Sequence, residues 1–341
     1  MKHYLVTGGT GFIGSFLVKK LVLSGHKVRV LDNNIRGSLE KLGNFHKEIE
    51  FIEGDIRNPE IVHKACKNID SVAHLAYING TEYFYKIPET ILEVALKGAL
   101  NVFDACIKEN VEEIIIASSS EVYQSTEIIP THEKVPFIIP DPTNPRYSYG
   151  AGKMMTEMLA LNYGKKFFKK VLIFRPYNVY GPAMGWEHVI PQFITRIHEI
   201  IKNDSKNNTL NFSIQGTGNE TRAFIYIDDF IEGLMHVIER GNHLEVYNIG
   251  TMQEISIKKL AQEVAHYFKK EIIIQANPAL QGSVTRRCPH TQKLQDLGFI
   301  PHISLQTGIA KTAEWYIHHY NEIQKINLSS SFSGAHNAQL S

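Results

Sequence analysis

Thr7-Gly8-Gly9-Thr10-Gly11-Phe12-Ile13-Gly14 is the stretch from which the rest of this 341-residue chain is read. A short apolar run, His3 to Val6, stands before it. After it the apolar spacing turns helical through Phe16, Leu17 and Leu21. A strand, a glycine turn and a helix start are expected, with backbone N–H groups open to a pyrophosphate at the helix's positive end. The spacing of Gly8, Gly11 and Gly14 is G-x-x-G-x-x-G; a tight turn with no ligand is the plainer alternative. The next strand, Lys27 to Leu31, runs into Asp32, eighteen residues past Gly14. A carboxylate there suits the two ribose hydroxyls of NAD and repels the extra phosphate of NADP. NAD is therefore the expected cofactor, although Arg36 lies close enough in sequence to soften the preference.

Further along, Tyr149-Gly150-Ala151-Gly152-Lys153 places a phenol and an ammonium four residues apart on one face of an expected helix. A free tyrosine ionises near pH ~10 and is a poor base at neutrality. A neighbouring cation favours the phenolate, so Lys153 makes Tyr149 usable for taking a proton from a sugar hydroxyl. The spacing alone is common; it gains weight from the glycine loop 142 residues upstream.

Strand-like and helical segments alternate through the first half, with strands expected at 3–7, 27–31, 49–53, 70–75, 112–118 and 171–175. Helical patterns occupy 13–24, 58–67, 89–109 and 145–167. This is the signature of an α/β fold, a Rossmann-like, doubly wound parallel sheet covered on both faces. Residues 1–181, with a helix from Asp228 and a strand from Glu245 to Ile249, form the expected dinucleotide domain (1–181 plus about 225–249). Segments 182–224 and 250–322 are left to build a smaller substrate lobe over the strand C-termini. The polar stretch 328–341 reads as a disordered tail.

The ordered series of motifs resembles the extended short-chain dehydrogenases/reductases of the nucleotide-sugar epimerase/dehydratase family. It comprises Thr7 to Gly14, Asp32, Gly54-Asp55-Ile56, His74-Leu75-Ala76, Asn101, Ser118-Ser119-Ser120-Glu121-Val122-Tyr123 and Tyr149-x-x-x-Lys153. It continues through Arg175-Pro-Tyr-Asn-Val-Tyr-Gly-Pro182, Glu220-Thr221-Arg222, Asp228-Asp229 and Asn248-Ile-Gly250. The resemblance implies that Gly8, Gly11, Phe12, Ile13 and Gly14 hold the NAD pyrophosphate. It assigns Asp32 and Asn33 to the adenosine ribose, and Asp55 and Ile56 to the adenine. Leu75, Ala76 and Asn101 line the cofactor, and Lys153 bridges its ribose hydroxyls. Tyr149 becomes the base at the sugar C4 hydroxyl, with Ser119 sharing that hydrogen bond. Asn178, Val189, Arg222 and Arg287 are implied to hold the sugar nucleotide. Asn101 and Asn178 as ordinary polar residues, and the three serines as a polar strand end, remain the alternatives.

Oxidation at C4 gives a keto sugar, and the fate of that sugar defines the reaction. C4 epimerisation needs only its rotation. A 4,6-dehydration needs a base at C5 and an acid for the leaving C6 hydroxyl. Ser119-Ser120-Glu121 resembles the triplet of the 4,6-dehydratases, and also that of UDP-glucuronate decarboxylases. Dehydration with Ser119, Ser120 and Glu121 as catalytic residues is the first expectation; epimerisation at C4 (or C3/C5) ranks second and decarboxylation third. Glu121 as the cap of a neighbouring helix stays open. Arg287-Cys288-Pro289 resembles the Arg-x-Pro of the decarboxylases, with surface arginines as the other reading. Three positions depart from the family pattern: Gln124 stands where glycine is frequent and Tyr77 where alanine is, while Leu280-Gln281-Gly282-Ser283 lacks the arginine of Arg-Pro-Gly-Asp. A non-catalytic NAD sensor on the same fold is the rival class, and it would have no use for Ser119, Tyr149 and Lys153.

Composition narrows the partners. With 36 Lys and Arg against 35 Asp and Glu, no field attracts nucleic acid or an anionic membrane. No apolar run approaches the ~20 residues of a membrane span, and no leader precedes the first strand. Cys66, Cys106 and Cys288 are scattered and odd in number, so reduced thiols in the cytoplasm are expected. Sixteen histidines show no metal-ligand spacing, so no metal is expected. A homodimer through helices 89–109 and 145–167 is the family expectation.

Overall fold

The computed structural model describes residues 1–204, 206–278 and 284–322. The expected tail at 328–341, and the whole departed motif Leu280-Gln281-Gly282-Ser283, lie outside the described residues.

Seven strands form one sheet: β1 (His3–Thr7), β2 (Lys27–Asp32), β3 (Glu50–Glu53), β4 (Ser71–His74), β5 (Glu113–Ala117), β6 (Lys170–Pro176) and β7 (Glu245–Ile249). Their spatial order is 7-6-5-4-1-2-3, and every neighbouring pair is parallel. Parallel strands are covered on both faces, so their sequences read as unbroken apolar runs. Ile114-Ile115-Ile116 in β5 and Val171 to Phe174 in β6 are almost wholly buried for that reason. On one face Leu5, Val72, Ile114, Ile116, Val171 and Ile173 pack with Val62, Ala65, Val102 and Phe103. The helix after β1, α1 (Phe12–Leu23), turns Gly14, Leu17, Val18 and Leu21 inward at helical spacing.

Helix 89–109 is not continuous. It runs as Pro88–Glu93, a π-helical turn Val94–Gly98, and α2 (Ala99–Lys108). The other long helix opens with a 3₁₀ turn, Pro145–Tyr147, before α3 (Ser148–Phe167). Chain order reverses between β1 and β4, where an open α/β sheet offers a crevice beyond its strand C-termini.

Two compact units divide the chain. The first comprises Met1–Val179, Glu220–Ile255 and Gln281–His302. Residues 220–224, 250–255 and 284–302 thus group with the sheet unit and not with the smaller lobe expected from sequence. Short pairings hold them there: Arg286–Arg287 lies parallel to Thr221–Arg222, and Thr131 bridges to Pro289. The second unit comprises Tyr180–Asn219, Ser256–Leu280 and Ile303–Ser341. In it, strands Thr209–Gln215 and Glu271–Asn277 pair in parallel. Its apolar side chains include Phe193, Ile197, Phe212, Leu260, Val264 and Tyr316.

Candidate active site

The glycine loop is shaped for close backbone approach. A Cβ on Gly14 would stand 2.0 Å from Gly8 O, so only glycine lets the helix start pack on the turn. Phe12 and Ile13 open α1 on the N-cap Gly11, leaving first-turn N–H groups unused inside the helix. Asp32 is buried at the end of β2 and accepts from Thr10 N at 3.0 Å and Asn34 N at 2.9 Å. A carboxylate has four lone-pair sites, so two remain for hydroxyls. These features fit a dinucleotide.

At the adenine end Asp55 pairs with Arg57 at 2.8 Å and accepts from Asn33 Nδ2 at 3.3 Å. The Arg57 hydrogen bond holds its carboxyl below the ordinary value. Asn101 gives its Nδ2 to Ile56 O at 2.9 Å, so it braces this turn from α2. Beyond β4, Leu75 N donates to Thr7 O at 3.0 Å and Ala76 N to Thr7 Oγ1 at 3.2 Å, which ties both residues to the glycine loop.

The phenol and ammonium sit at the start of α3, almost wholly buried. Tyr149 lies between two rings, stacked on Phe84 at 5.0 Å and edge-on to Tyr77 at 5.1 Å. Burial pushes its phenol up to about 12, although Ser119 beside it favours the anion. Lys153 donates to Ala117 O at 2.6 Å and sits 3.8 Å from the Tyr77 ring centroid. Burial draws Lys153 down to about 7, against the opposing pull of Glu157. The tyrosine at position 77 therefore covers the lysine. Its hydroxyl would stand 2.2 Å from a Cβ at position 152, so glycine there admits it.

Charge gathers around Glu121. Ser119 Oγ caps a 3₁₀ turn, Ser120–Tyr123, by accepting from Glu121 N at 3.1 Å. The Glu121 carboxylate does not cap a helix; its Oε1 accepts from Arg287 Nη1 at 2.5 Å. Burial alone would raise its pKa, but Arg287 and then Arg146 and Arg222 reverse this and hold it below the ordinary value. Arg287 is 12% exposed and keeps Nη2 buried with no hydrogen-bond partner among the described residues. It is not a surface arginine. Ser120 is buried at the head of the turn.

Arg222 spends its guanidinium on Thr221 O at 2.7 Å and Val284 O at 2.6 Å. Burial and the nearby Arg287 draw it down to about 10. Asn178 donates Nδ2 to Ala223 O at 3.0 Å, so its amide secures the neighbouring loop. Val189 opens the helix Val189–Asn203 of the second unit, half-buried. Arg146 carries no motif that marks it in the sequence, although it stands three residues before Tyr149; its Nε is buried without a partner among the described residues. Gln124, where glycine is frequent, takes φ +48°, and its Nε2 donates to Glu121 O at 2.6 Å.

A buried network supports both groups. Arg175 donates to Glu157 through Nε at 2.8 Å and Nη2 at 2.6 Å, both side chains being almost inaccessible. Ser118 hydrogen-bonds the same carboxylate, and Arg175 Nη1 donates to Tyr123 Oη. Glu157 lies one helical turn beyond Lys153, so the strand ends are locked to the helix bearing the phenol.

Residues 4–250 match the NAD-dependent epimerase/dehydratase family. The chain belongs to that family. It is similar to the UDP-N-acetyl-α-D-glucosaminuronate decarboxylase of Bacillus cytotoxicus, 29% identical over 325 residues, or 92% of this chain and 98% of that enzyme. The dTDP-D-glucose 4,6-dehydratase of Mus musculus is 29% identical over 342 residues, 95% of this chain and 92% of that enzyme. Among solved structures, the UDP-glucose 4-epimerase of Thermus thermophilus in complex with NAD superposes with a TM-score of 0.78. It is 28% identical, over 92% of this chain and 98% of that one. The chain thus shares the NAD dependence and α/β fold of a family whose relatives named here are enzymes of nucleotide sugars. Among the described residues no group of His, Cys, Asp and Glu could hold a metal, and no helix is long and apolar enough to cross a membrane.

Proposed function

We propose that the protein oxidises a nucleoside-diphosphate hexuronate at C4 and then releases its C6 carboxyl group as carbon dioxide. The observation that carries this is Arg287, which gives one nitrogen to Glu121 and keeps a buried, unpartnered Nη2 in the electrostatic field of Tyr149. A desolvated guanidinium with a spare donor is a receptor for a second carboxylate. Loss of carbon dioxide next to a C4 ketone needs no base. The C5–C6 bonding pair moves to the C4 oxygen, where the Tyr149 phenol donates a hydrogen bond, and a proton returns to C5. Dehydration would need a strong base at C5 and an acid for the C6 hydroxyl. Here the carboxylate is weakened by Arg287, and Ser120 is a poor acid. This moves decarboxylation from the third place expected from sequence to the first. Dehydration stands second, favoured by a Glu121 that is ionised at neutral pH.

NAD, when bound, accepts the C4 hydrogen with its electron pair. Gly8, Gly11, Phe12, Ile13 and Gly14 would hold its pyrophosphate, Asp32 and Asn33 its adenosine ribose, and Asp55 and Ile56 its adenine. Leu75 and Ala76 would line it, Asn101 would brace Ile56, and Lys153 would meet the ribose hydroxyls. Arg146 and Arg222 add positive charge for the substrate diphosphate, and Asn178 holds the backbone beside Arg222 through Ala223 O. A cytoplasmic homodimer belongs to the same reading, supported by Leu92, Leu100, Met155 and Met158 exposed on the two helices. The test is mass spectrometry of products from the NAD-loaded protein with UDP-glucuronate, UDP-glucose and dTDP-glucose. Loss of carbon dioxide from UDP-glucuronate is expected. Loss of water from a neutral hexose, with UDP-glucuronate untouched, would replace this reading by dehydration.

A further inference from the structure

Asn248 is fully buried in β7, beside Arg175 of β6, in a sheet whose packing asks for apolar side chains. Its amide joins two segments. On one side Oδ1 accepts from Tyr123 Oη at 2.8 Å; the same phenol accepts from Arg175, which fixes the direction of its proton. On the other side Nδ2 donates to Thr131 O at 2.9 Å. Tyr123 ends the turn that carries Glu121. Thr131 N donates to Cys288 O at 2.9 Å, next to Arg287.

We propose that Asn248 is a positioning residue that sets the Glu121–Arg287 contact by spacing the two segments, 166 residues apart in sequence, on which those side chains stand. The role needs an acceptor and a donor on one short stem. Aspartate lacks the donor, leucine lacks both, and glutamine is a methylene too long. Misplacement by about 1 Å is enough to cost a reaction step about a hundredfold. Asn248 touches neither Glu121 nor Arg287, so its effect passes through their geometry. The idea rests on the reading of that pair as the C5 end of the site.

The experiment uses full-length, NAD-loaded Asn248→Leu, with Tyr123→Phe as the milder variant should the first fail to fold, and UDP-glucuronate as the probe. Carbon dioxide release is expected to slow at least about tenfold while NADH absorbance still develops at the parent rate. Asn248→Gln is expected not to restore it. In an Arg287→Met background the Asn248 or Tyr123 change should add nothing further. A crystal structure of either variant should show the Glu121–Arg287 contact lengthened or broken. An unchanged contact, or a loss that multiplies fully with Arg287→Met, overturns the proposal. If the parent protein leaves UDP-glucuronate untouched, the decarboxylase reading falls, and the crystal structure alone decides the role of Asn248.

Discussion

The two ends of the reacting site handle charge in opposite ways. Around Tyr149 and Lys153, burial dominates: the phenol is pushed up to about 12 and the ammonium drawn down to about 7, so both move toward their neutral forms. Around Glu121 and Arg287, burial is outweighed by the opposite charge alongside, and both stay ionised. In the proposed function the first pair exchanges a proton, and the second keeps a fixed charge in place while an anion comes and goes.

Tyr149→Phe tests the first half most severely. Without a proton acceptor at the C4 hydroxyl, NADH formation with a nucleotide sugar should fall about 10²–10⁴-fold in single-turnover measurements, with far-ultraviolet circular dichroism unchanged. Parent-like NADH formation would remove the phenol from the chemistry. Arg287→Met probes the second half. Carbon dioxide release should drop about a hundredfold while NADH still forms, because only the later step uses that guanidinium. Equal loss of both steps would mean that the two ends do not work separately.

The contrast also has a stability signature. Lys153 titrates at about 7 in the folded chain, against 10.5 ordinarily. Between those values the unfolded chain binds the extra proton, so this group makes stability rise with pH across that window and adds no slope below it. Thermal unfolding from pH 7 to 10 should show that rise in the parent and a flatter profile in Lys153→Met. A smaller effect is expected for Tyr77→Ala, which exposes Lys153 and removes a cation–π contact worth about 1 kcal/mol. The reactivity of Lys153 toward an acylating reagent should then follow an ordinary lysine profile.

Much of this architecture is readable from the chain because parallel sheets write themselves as apolar runs separated by amphipathic helices. Val171 to Phe174 and Glu245 to Ile249 are examples, and both strands lie in the sheet. The glycine loop and Tyr149-x-x-x-Lys153 are legible because each is local. Glu121 and Arg287 are visible singly, but nothing in a sequence places two residues 166 apart in one ion pair. The grouping of 284–302 with the sheet unit rests on a two-residue pairing, a single bridge and scattered side-chain contacts such as Lys293 to Val246 O and Arg240 to Leu297 O, none of which leaves a period. That Asn101 and Asn178 each give an amide hydrogen to a backbone carbonyl, Ile56 O and Ala223 O, is not visible in a motif either.

Gln124 holds a positive-φ backbone, φ +48° and ψ −130°, that glycine would adopt freely, at a cost of about 1–3 kcal/mol. In return its side chain grips the carbonyl of Glu121, a bond worth about 1 kcal/mol. At the lower end of that range the two nearly cancel, so melting temperature would scarcely register an exchange to glycine. What would change is stiffness: the carboxylate would lose the tether beneath its own main chain. Amide hydrogen exchange in this turn, faster in Gln124→Gly, would reveal a side chain retained for rigidity at a position where folding free energy is indifferent.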